Sequence, residues 1–281
     1  MSRKKNILVT GADGFVGRAL IKKLPKIQNN IFPVSRGDGD LADKKFCRKI
    51  VKDTDTVYYL AGFRKNVAVH TREPFTALSG NVLPLISFLE EVKKSKVKTI
   101  IYTSSTHVEY GLVGDNMDGY VLGKYMNELI LKSFAKETGI DVKIVRYAAI
   151  YGPGNSFDPK ISNIIPSLIV KAAEAKDKMT IWGKGVRKMQ FIYIDDVVRT
   201  LIKVSKSNGN FFIVGNRETI SVIDLVKKIL KLMKKNLKIE RDLSKPDKAT
   251  KLSTFDAHLK ARVNLDKGLK ETIMDYKKSY A

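Results

Sequence analysis

The stretch Asn6-Ile7-Leu8-Val9-Thr10-Gly11-Ala12-Asp13-Gly14-Phe15-Val16-Gly17-Arg18 decides how the chain is built. Residues 6–10 are a short apolar run that reads as a buried strand, three glycines follow with the spacing GxxGxxG, and residues 18–24 read as a helix stopped before Pro25. Strand, glycine turn and helix in this order form the context that a dinucleotide-binding fingerprint requires. Glycine lets the backbone turn tightly and approach a pyrophosphate, and the helix N-terminus offers unpaired N–H groups at the positive end of its dipole. A second strand over 31–35 delivers Ser35-Arg36 to the place, roughly twenty residues beyond the glycines, where such a fold meets the ribose 2′ position. An acidic residue there suits a 2′-hydroxyl and an arginine suits a 2′-phosphate, so Arg36 favours NADP over NAD. The competing reading is that Arg36 is one more exposed cation.

The alternation continues downstream. Strands are expected over 57–60, 99–103, 142–146 and 211–214, and helices over 74–78, 85–94, 116–138, 221–234 and 265–276. Apolar strands alternating with amphipathic helices form a parallel sheet covered on both faces, so the fold class is α/β, a doubly wound Rossmann sheet. In the 116–138 helix, Met117, Val121, Leu122, Met126, Leu129, Ile130 and Phe134 recur at three- and four-residue intervals, and Gly139 closes it. Its Tyr120-Val121-Leu122-Gly123-Lys124 places a phenol and an ammonium on one helix face. Ser104-Ser105-Thr106 stands at the carboxyl end of the 99–103 strand, the edge beyond which open parallel sheets bind ligands. A free phenol titrates at about pH 10, and a neighbouring ammonium favours its ionised form, so the pair can exchange a proton with a substrate.

Composition narrows the setting. The chain has 281 residues, enough for one large α/β domain or a domain with a smaller lobe. Its single cysteine, Cys47, excludes an internal disulfide framework and fits a reducing compartment. The first residues run into a strand too short for the apolar core of a signal peptide, and no later apolar run could span a membrane, so a cytoplasmic location is expected. The formal net charge of +23 would attract polyanions. Yet the lysines are scattered along every segment, with pairs such as Lys227-Lys228 and Lys234-Lys235 expected on the solvent side of a helix. No zinc-ligand spacing or RNA-binding aromatic signature accompanies them, so neither nucleic acid nor a metal is expected as a ligand.

Taken together, these motifs resemble the extended short-chain dehydrogenase/reductase superfamily, the NAD-dependent epimerase/dehydratase family that modifies nucleotide sugars. The direct passage from Arg36 to Gly39-Asp40-Leu41, with no room for the usual helix and third strand, is similar to the GDP-fucose synthase and dTDP-4-dehydrorhamnose reductase types. The resemblance implies that the cofactor lies along Gly11, Asp13, Gly14, Phe15, Val16, Gly17, Ser35, Arg36, Asp40 and Leu41, with Asp40 at the adenine. It implies that Leu60-Ala61-Gly62 passes under the cofactor and that Asn81, Tyr120 and Lys124 complete its site. Tyr120, Lys124 and an active hydroxyl become catalytic. That hydroxyl falls on Ser105 when the frame is set by the strand, and on Thr106 when it is counted back from Tyr110-Gly111.

For the substrate, His107 and Asn163 occupy the positions that epimerise in GDP-fucose synthases. Arg187 and Lys188 precede Met189, which replaces a diphosphate-gripping arginine, and are its candidate substitutes, and Ala149 replaces an asparagine. His107-Val108 stands where dehydratases carry an acid pair, so dehydration is disfavoured, and reduction of a 4-keto sugar or redox epimerisation at C4 remains. The alternatives are an NAD-dependent 4-epimerase with a tightly held cofactor, and a non-catalytic module that senses NADP or binds nucleic acid. The resemblance further implies a cofactor domain of residues 1–150 with about 191–216, and a small discontinuous substrate lobe of about 151–190 with 217–281. It also implies a homodimer through a four-helix bundle, with Leu85, Ile86 and Leu89 as the apolar stripe of one helix.

Overall fold

The computed structural model describes residues 3–63, 67–109, 118–158, 161–215, 218–244 and 259–280. In chain order its elements are β1 (Lys5–Thr10), α1 (Phe15–Lys23), β2 (Asn29–Val34), α2 (Lys44–Val51), β3 (Thr56–Tyr59), α3 (Val67–Arg72), α4 (Pro74–Val92) and β4 (Thr99–Ser105). A 3-10 turn (Thr106–Glu109), α5 (Gly119–Thr138), β5 (Asp141–Tyr147), β6 (Ala149–Tyr151), α6 (Ile164–Glu174), β7 (Lys178–Trp182), β8 (Lys188–Met189) and β9 (Phe191–Tyr193) follow. The chain closes with α7 (Ile194–Val204), β10 (Phe211–Gly215), β11 (Ile220–Ser221), α8 (Val222–Met233), β12 (Lys238–Asp242), β13 (Leu259–Lys260) and α9 (Leu265–Tyr280).

Seven strands form the parallel sheet in the order β2-β1-β3-β4-β5-β10-β13. Its central strands carry Leu8, Val9, Val57, Ile100, Ile101 and Val145 at no exposure, as a sheet covered on both faces requires. β2 is one edge, paired with β1, and α2 carries the chain back to β3 on the other side of β1. The chain thus reaches β3 with no further strand between it and β2, in keeping with the short passage after Arg36, while α2 has no counterpart among the expected elements. It starts because the Asp43 carboxylate accepts the Lys45 N–H at 2.8 Å. On one face of the sheet Cys47 and Val51 of α2 join Leu85, Phe88, Leu89 and Val92 of α4 and Leu131 of α5 in one core. Burial pushes the Cys47 thiol up to about 12, so it behaves as a small apolar side chain.

Several boundaries move. The expected helix pieces 74–78 and 85–94 are one helix, α4, which continues through Pro84. Leu85 and Leu89, expected on an outward stripe, are 0% and 3% exposed and face the sheet, because the 3.6-residue period turns them to the side of Phe88 and Val92. Helix α5 starts at Gly119, its N-cap Asp118 accepting from Tyr120 N–H at 2.9 Å and Val121 N–H at 3.2 Å. Asn116, Met117 and Tyr110-Gly111 lie outside the described residues. Gly139, at φ +71°, ends α5 as expected. Lys235, expected on a solvated face, donates instead to the carbonyls of Ala173 and Ala175 at 2.6 and 3.1 Å, where α6 ends. Lys228 is ion-paired with Asp266.

By compactness the chain divides into residues 1–147 with 197–213, and residues 148–196 with 214–281. The first unit holds the sheet from β2 to β5. The second holds three two-stranded ladders, β6 with β9, β7 with β12 and β8 with β11. No helix among the described residues is long and apolar enough to cross a membrane.

α2 is tied to α4 by Glu91, whose side chain is 1% exposed and receives Arg48 Nε at 2.8 Å and Lys94 Nζ at 3.0 Å. These bonds hold its carboxyl down at about 2. A depressed folded value stabilises the native state above the ordinary carboxylate range and is lost as pH falls through the folded value. Glu91→Gln should therefore weaken the protein near neutrality and flatten the further decline between about pH 5 and pH 2. Thermal melts at stepped pH measure this, and equal slopes for both proteins would contradict it.

Candidate active site

The glycine turn after β1 is built by steric necessity. Gly11 sits at φ +66°, and a Cβ there would come 2.9 Å from Ala61 N and 3.1 Å from Leu60 C. A Cβ on Gly17 would come 2.2 Å from the Gly11 carbonyl oxygen. Thr10, fully buried, uses its hydroxyl oxygen to accept the N–H groups of Leu60 and Ala61, both at 3.2 Å. The two turns at the carboxyl ends of β1 and β3 are thus laid against each other, with bare backbone where side chains would block a ligand. Asp13 and Gly14 are exposed, Phe15 and Val16 half-buried, and Gly14 caps α1 without a side-chain bond. This arrangement fits a dinucleotide, whose pyrophosphate needs close backbone approach and a free helix N-terminus.

Beyond β2, Asp38 accepts the Ser35 backbone N–H at 2.8 Å and its hydroxyl at 2.7 Å, which holds the Asp38 carboxyl below its ordinary value. Arg36 stands exposed on this turn. Asp40 accepts the Ala42 N–H at 2.9 Å, and Leu41 packs against the core.

The centre of the site is a buried amide and a buried ammonium. Asn81 of α4, 3% exposed, accepts the Phe63 N–H at 3.1 Å and donates to the carbonyls of Phe63 at 3.0 Å and Ala77 at 2.7 Å. A Cβ on Gly62 would lie 3.2 Å from the Asn81 side-chain oxygen and 3.8 Å from Lys124 Nζ, so turn, amide and lysine meet at one point. Lys124 is 6% exposed, and its ammonium donates to the Thr103 carbonyl at 2.8 Å. It lies 4.8 Å from the centre of the Tyr102 ring and 5.8 Å from that of Tyr120. Asn127, one turn further along α5, donates to the Asn81 carbonyl at 3.1 Å and to the Tyr102 hydroxyl at 3.2 Å.

The strand β4 extends to Ser105, two residues beyond the expected end. Alternation turns Ser104 to one side, where it bonds Glu128, and Ser105 to the other. Ser105 is half-buried, its oxygen accepting the His107 N–H at 3.2 Å, whereas Thr106 is 2% exposed. His107 is half-buried in the 3-10 turn. Below this turn Arg146 of β5 donates to Glu128 at 2.8 and 2.5 Å and to Glu109 at 3.1 Å. The guanidinium thereby bridges the turn after Ser105 and the helix of Tyr120. Nothing in the sequence pattern points to this pairing. A second unforeseen neighbour is His70 of α3, whose ring stacks on that of Tyr120. A lone histidine in a short helix offers no periodic signal.

In the second unit, Asn163 donates to the Ile150 carbonyl at 3.2 Å and precedes α6. Met189 is buried in β8, beside the exposed Lys188 and the half-buried Arg187. Four buried polar atoms of this unit, on Asn155, Ser162, Arg187 and Gln190, have no hydrogen-bond partner among the described residues.

A parallel Rossmann sheet with a glycine cradle at β1 and a tyrosine–lysine helix beside it defines a dinucleotide-dependent enzyme. The chain belongs to the NAD dependent epimerase/dehydratase family, whose model matches residues 7–215, and so to the nucleotide-sugar epimerases and reductases of the extended short-chain dehydrogenase/reductase type. It is 25% identical over 280 residues to a dTDP-4-dehydro-6-deoxy-D-allose reductase of a Streptomyces species, covering 86% of this chain and 85% of that protein. It is 23% identical over 269 residues to a GDP-L-fucose synthase of Azorhizobium caulinodans, covering 88% and 86%. The fold superposes on the crystal structure of Thermotoga maritima UDP-glucose 4-epimerase with UDP-glucose at a TM-score of 0.88 and 23% identity, covering 98% of this chain and 100% of that one.

Proposed function

We propose that this enzyme performs NADP-dependent redox chemistry at C4 of a nucleotide-activated sugar, reducing a 4-keto group. The observation that carries the reading is the buried Lys124 ammonium, held at the Thr103 carbonyl and within reach of the Tyr120 ring beside Gly62 and Asn81. The reduced nicotinamide supplies a hydride when bound. Tyr120 gives its hydroxyl proton to the substrate carbonyl oxygen, and the Lys124 ammonium favours the phenolate left behind. The Ser105 hydroxyl donates a hydrogen bond to the same oxygen; its half-buried position supports it over the buried Thr106. Gly11, Gly14 and Gly17 admit the pyrophosphate, and Arg36 meets the 2′-phosphate. Asn163, Arg187 and Lys188 are our candidates for the nucleotide diphosphate, with His107 at the sugar. The unpartnered buried polar atoms of the second unit support a polar ligand there, and we assign that unit to the substrate and the first to the cofactor.

Tyr120→Phe keeps the ring and removes the proton, so turnover should fall by roughly 10²–10⁴ while NADP affinity stays near the parental value. Reduction of dTDP-4-dehydro-6-deoxy-D-allose with NADPH and oxidation of GDP-L-fucose with NADP⁺ are the assays to begin with. Parental turnover by the variant would move the site elsewhere.

NADP should bind more tightly than NAD, and Arg36→Ala should narrow the gap by about 1–3 kcal/mol, the weight of a charge-assisted bond. Titration calorimetry with both cofactors decides it. Equal affinities in the parental protein would remove Arg36 from this role.

Leu83 and Ile86 of α4 and Met126 and Leu129 of α5 are 58%, 38%, 37% and 41% exposed, apolar positions that a second copy would cover. We assign a homodimer through these two helices, working in the cytoplasm, where the buried thiol of Cys47 stays reduced. Sedimentation at micromolar concentration should show a dimer, and Ile86→Glu should shift it to the monomer; a parental monomer would refute the assignment.

A further inference from the structure

Helix α3 carries none of the motifs read from the sequence, yet it lays a ring on Tyr120. His70 is 3% exposed, and its imidazole lies 5.2 Å from the Tyr120 ring, centre to centre, with the planes 12° apart. Its placement is not left to side-chain packing alone. The chain passes from α3 through Glu73 into Pro74, the first residue of α4, and Pro74 touches the start of α5 by backbone. A Cβ on Gly119 would come 2.1 Å from the Pro74 carbonyl oxygen. Gly119 immediately precedes Tyr120, so the segment bearing His70 and the segment bearing Tyr120 are pressed together at a contact that tolerates no side chain.

This matters for the phenol. Tyr120 is the second residue of α5 and only half-buried, where a tyrosine has more than one staggered χ1 available. A change of rotamer swings the hydroxyl through several ångströms, out of reach of any fixed carbonyl. Proton transfer requires that hydroxyl within hydrogen-bonding distance of the acceptor. The Lys124 ammonium, 5.8 Å from the ring centre, does not define the plane of the ring, whereas a flat buried partner does.

We propose that His70 is a positioning residue for Tyr120, its buried ring selecting the one orientation of the phenol from which the proton is delivered. The inference rests on Tyr120 being the proton donor. What it requires of residue 70 is a flat ring, so phenylalanine should serve where alanine does not. Stacking of this kind weights one orientation by a factor of about 2–10, which sets the size of the effect.

The test has a substrate-free arm and a catalytic arm. In protein carrying ring-labelled tyrosine, NMR signals of Tyr120 are identified by their loss in Tyr120→Phe. His70→Ala should shift or broaden them and His70→Phe should leave a single ordered set. If His70→Ala leaves these signals in place, the proposal falls whatever the substrate. In the assays above, His70→Ala should lower kcat by about 2–10-fold with KM for the sugar and the affinity for NADP unchanged, and His70→Phe should restore kcat. Should Tyr120→Phe be inactive while His70→Ala turns over at the parental rate, His70 has no positioning role and the proton donor stands. A loss in His70→Ala that His70→Phe fails to restore overturns the stacking role as well. Parental turnover by Tyr120→Phe instead overturns the assignment of the donor, and this inference with it.

Discussion

One buried carboxamide joins the parts of this site. The Asn81 side chain satisfies both backbone groups of Phe63 and the Ala77 carbonyl, while the backbone carbonyl of Asn81 accepts from the Asn127 side chain. A buried polar group stripped of such partners costs on the order of 1–3 kcal/mol, so the amide holds its neighbours as firmly as they hold it. Through the side chain the turn that follows β3 is fastened to α4, and through the backbone carbonyl of the same residue α4 is fastened to α5. Lys124 reaches Gly62 across this joint, and the hydroxyl-bearing end of β4 meets Lys124 through the Thr103 carbonyl.

Charge is handled in two ways. Most of the +23 excess is solvated lysine, but among the described residues Lys124 and Lys143 are buried and Lys235 half-buried, and each donates to backbone carbonyls. Lys124 takes Thr103, Lys143 takes Ser207 and Gly209, and Lys235 takes Ala173 and Ala175. Two buried carboxylates meet cations, Glu91 under Arg48 and Lys94, and Glu128 under Arg146, while buried Asp196 accepts the backbone N–H groups of Arg262 and Val263. Breaking such a pair by removing one partner strands the other, which makes the Glu128–Arg146–Glu109 bridge a stiff connection between the turn after Ser105 and α5.

The sheet, its parallel order and the cradle at β1 were legible in the sequence because their signals are local. GxxGxxG after an apolar run has one sterically sensible solution, with Gly11 at positive φ and Gly17 under its carbonyl. The interval between Tyr120 and Lys124 needs only the helical period, and Gly139 ends that helix by its own chemistry. Asn81 could be singled out by its likeness to a family position, though not its bonds. The faces of α4 were harder. Apolar residues occur on both sides of that helix, so sequence alone could not say that Leu85 and Leu89 turn to the sheet and Leu83 and Ile86 to solvent.

What the sequence by itself determined, then, is the fold class, the glycine cradle and the residue types of the candidate chemistry, since each follows from backbone sterics or from spacing along one element. Only the tertiary structure decided which of them meet. It brought Gly62, Asn81 and Lys124 to one point, set Ser105 apart from Ser104 by the pleat of β4, laid His70 on Tyr120 and bridged Glu109 to Glu128 through Arg146. These are contacts between segments far apart along the chain, and no local propensity encodes them. They exist because seven strands and their covering helices can bury their apolar faces in a single arrangement, and that arrangement fixes which polar groups are left facing one another.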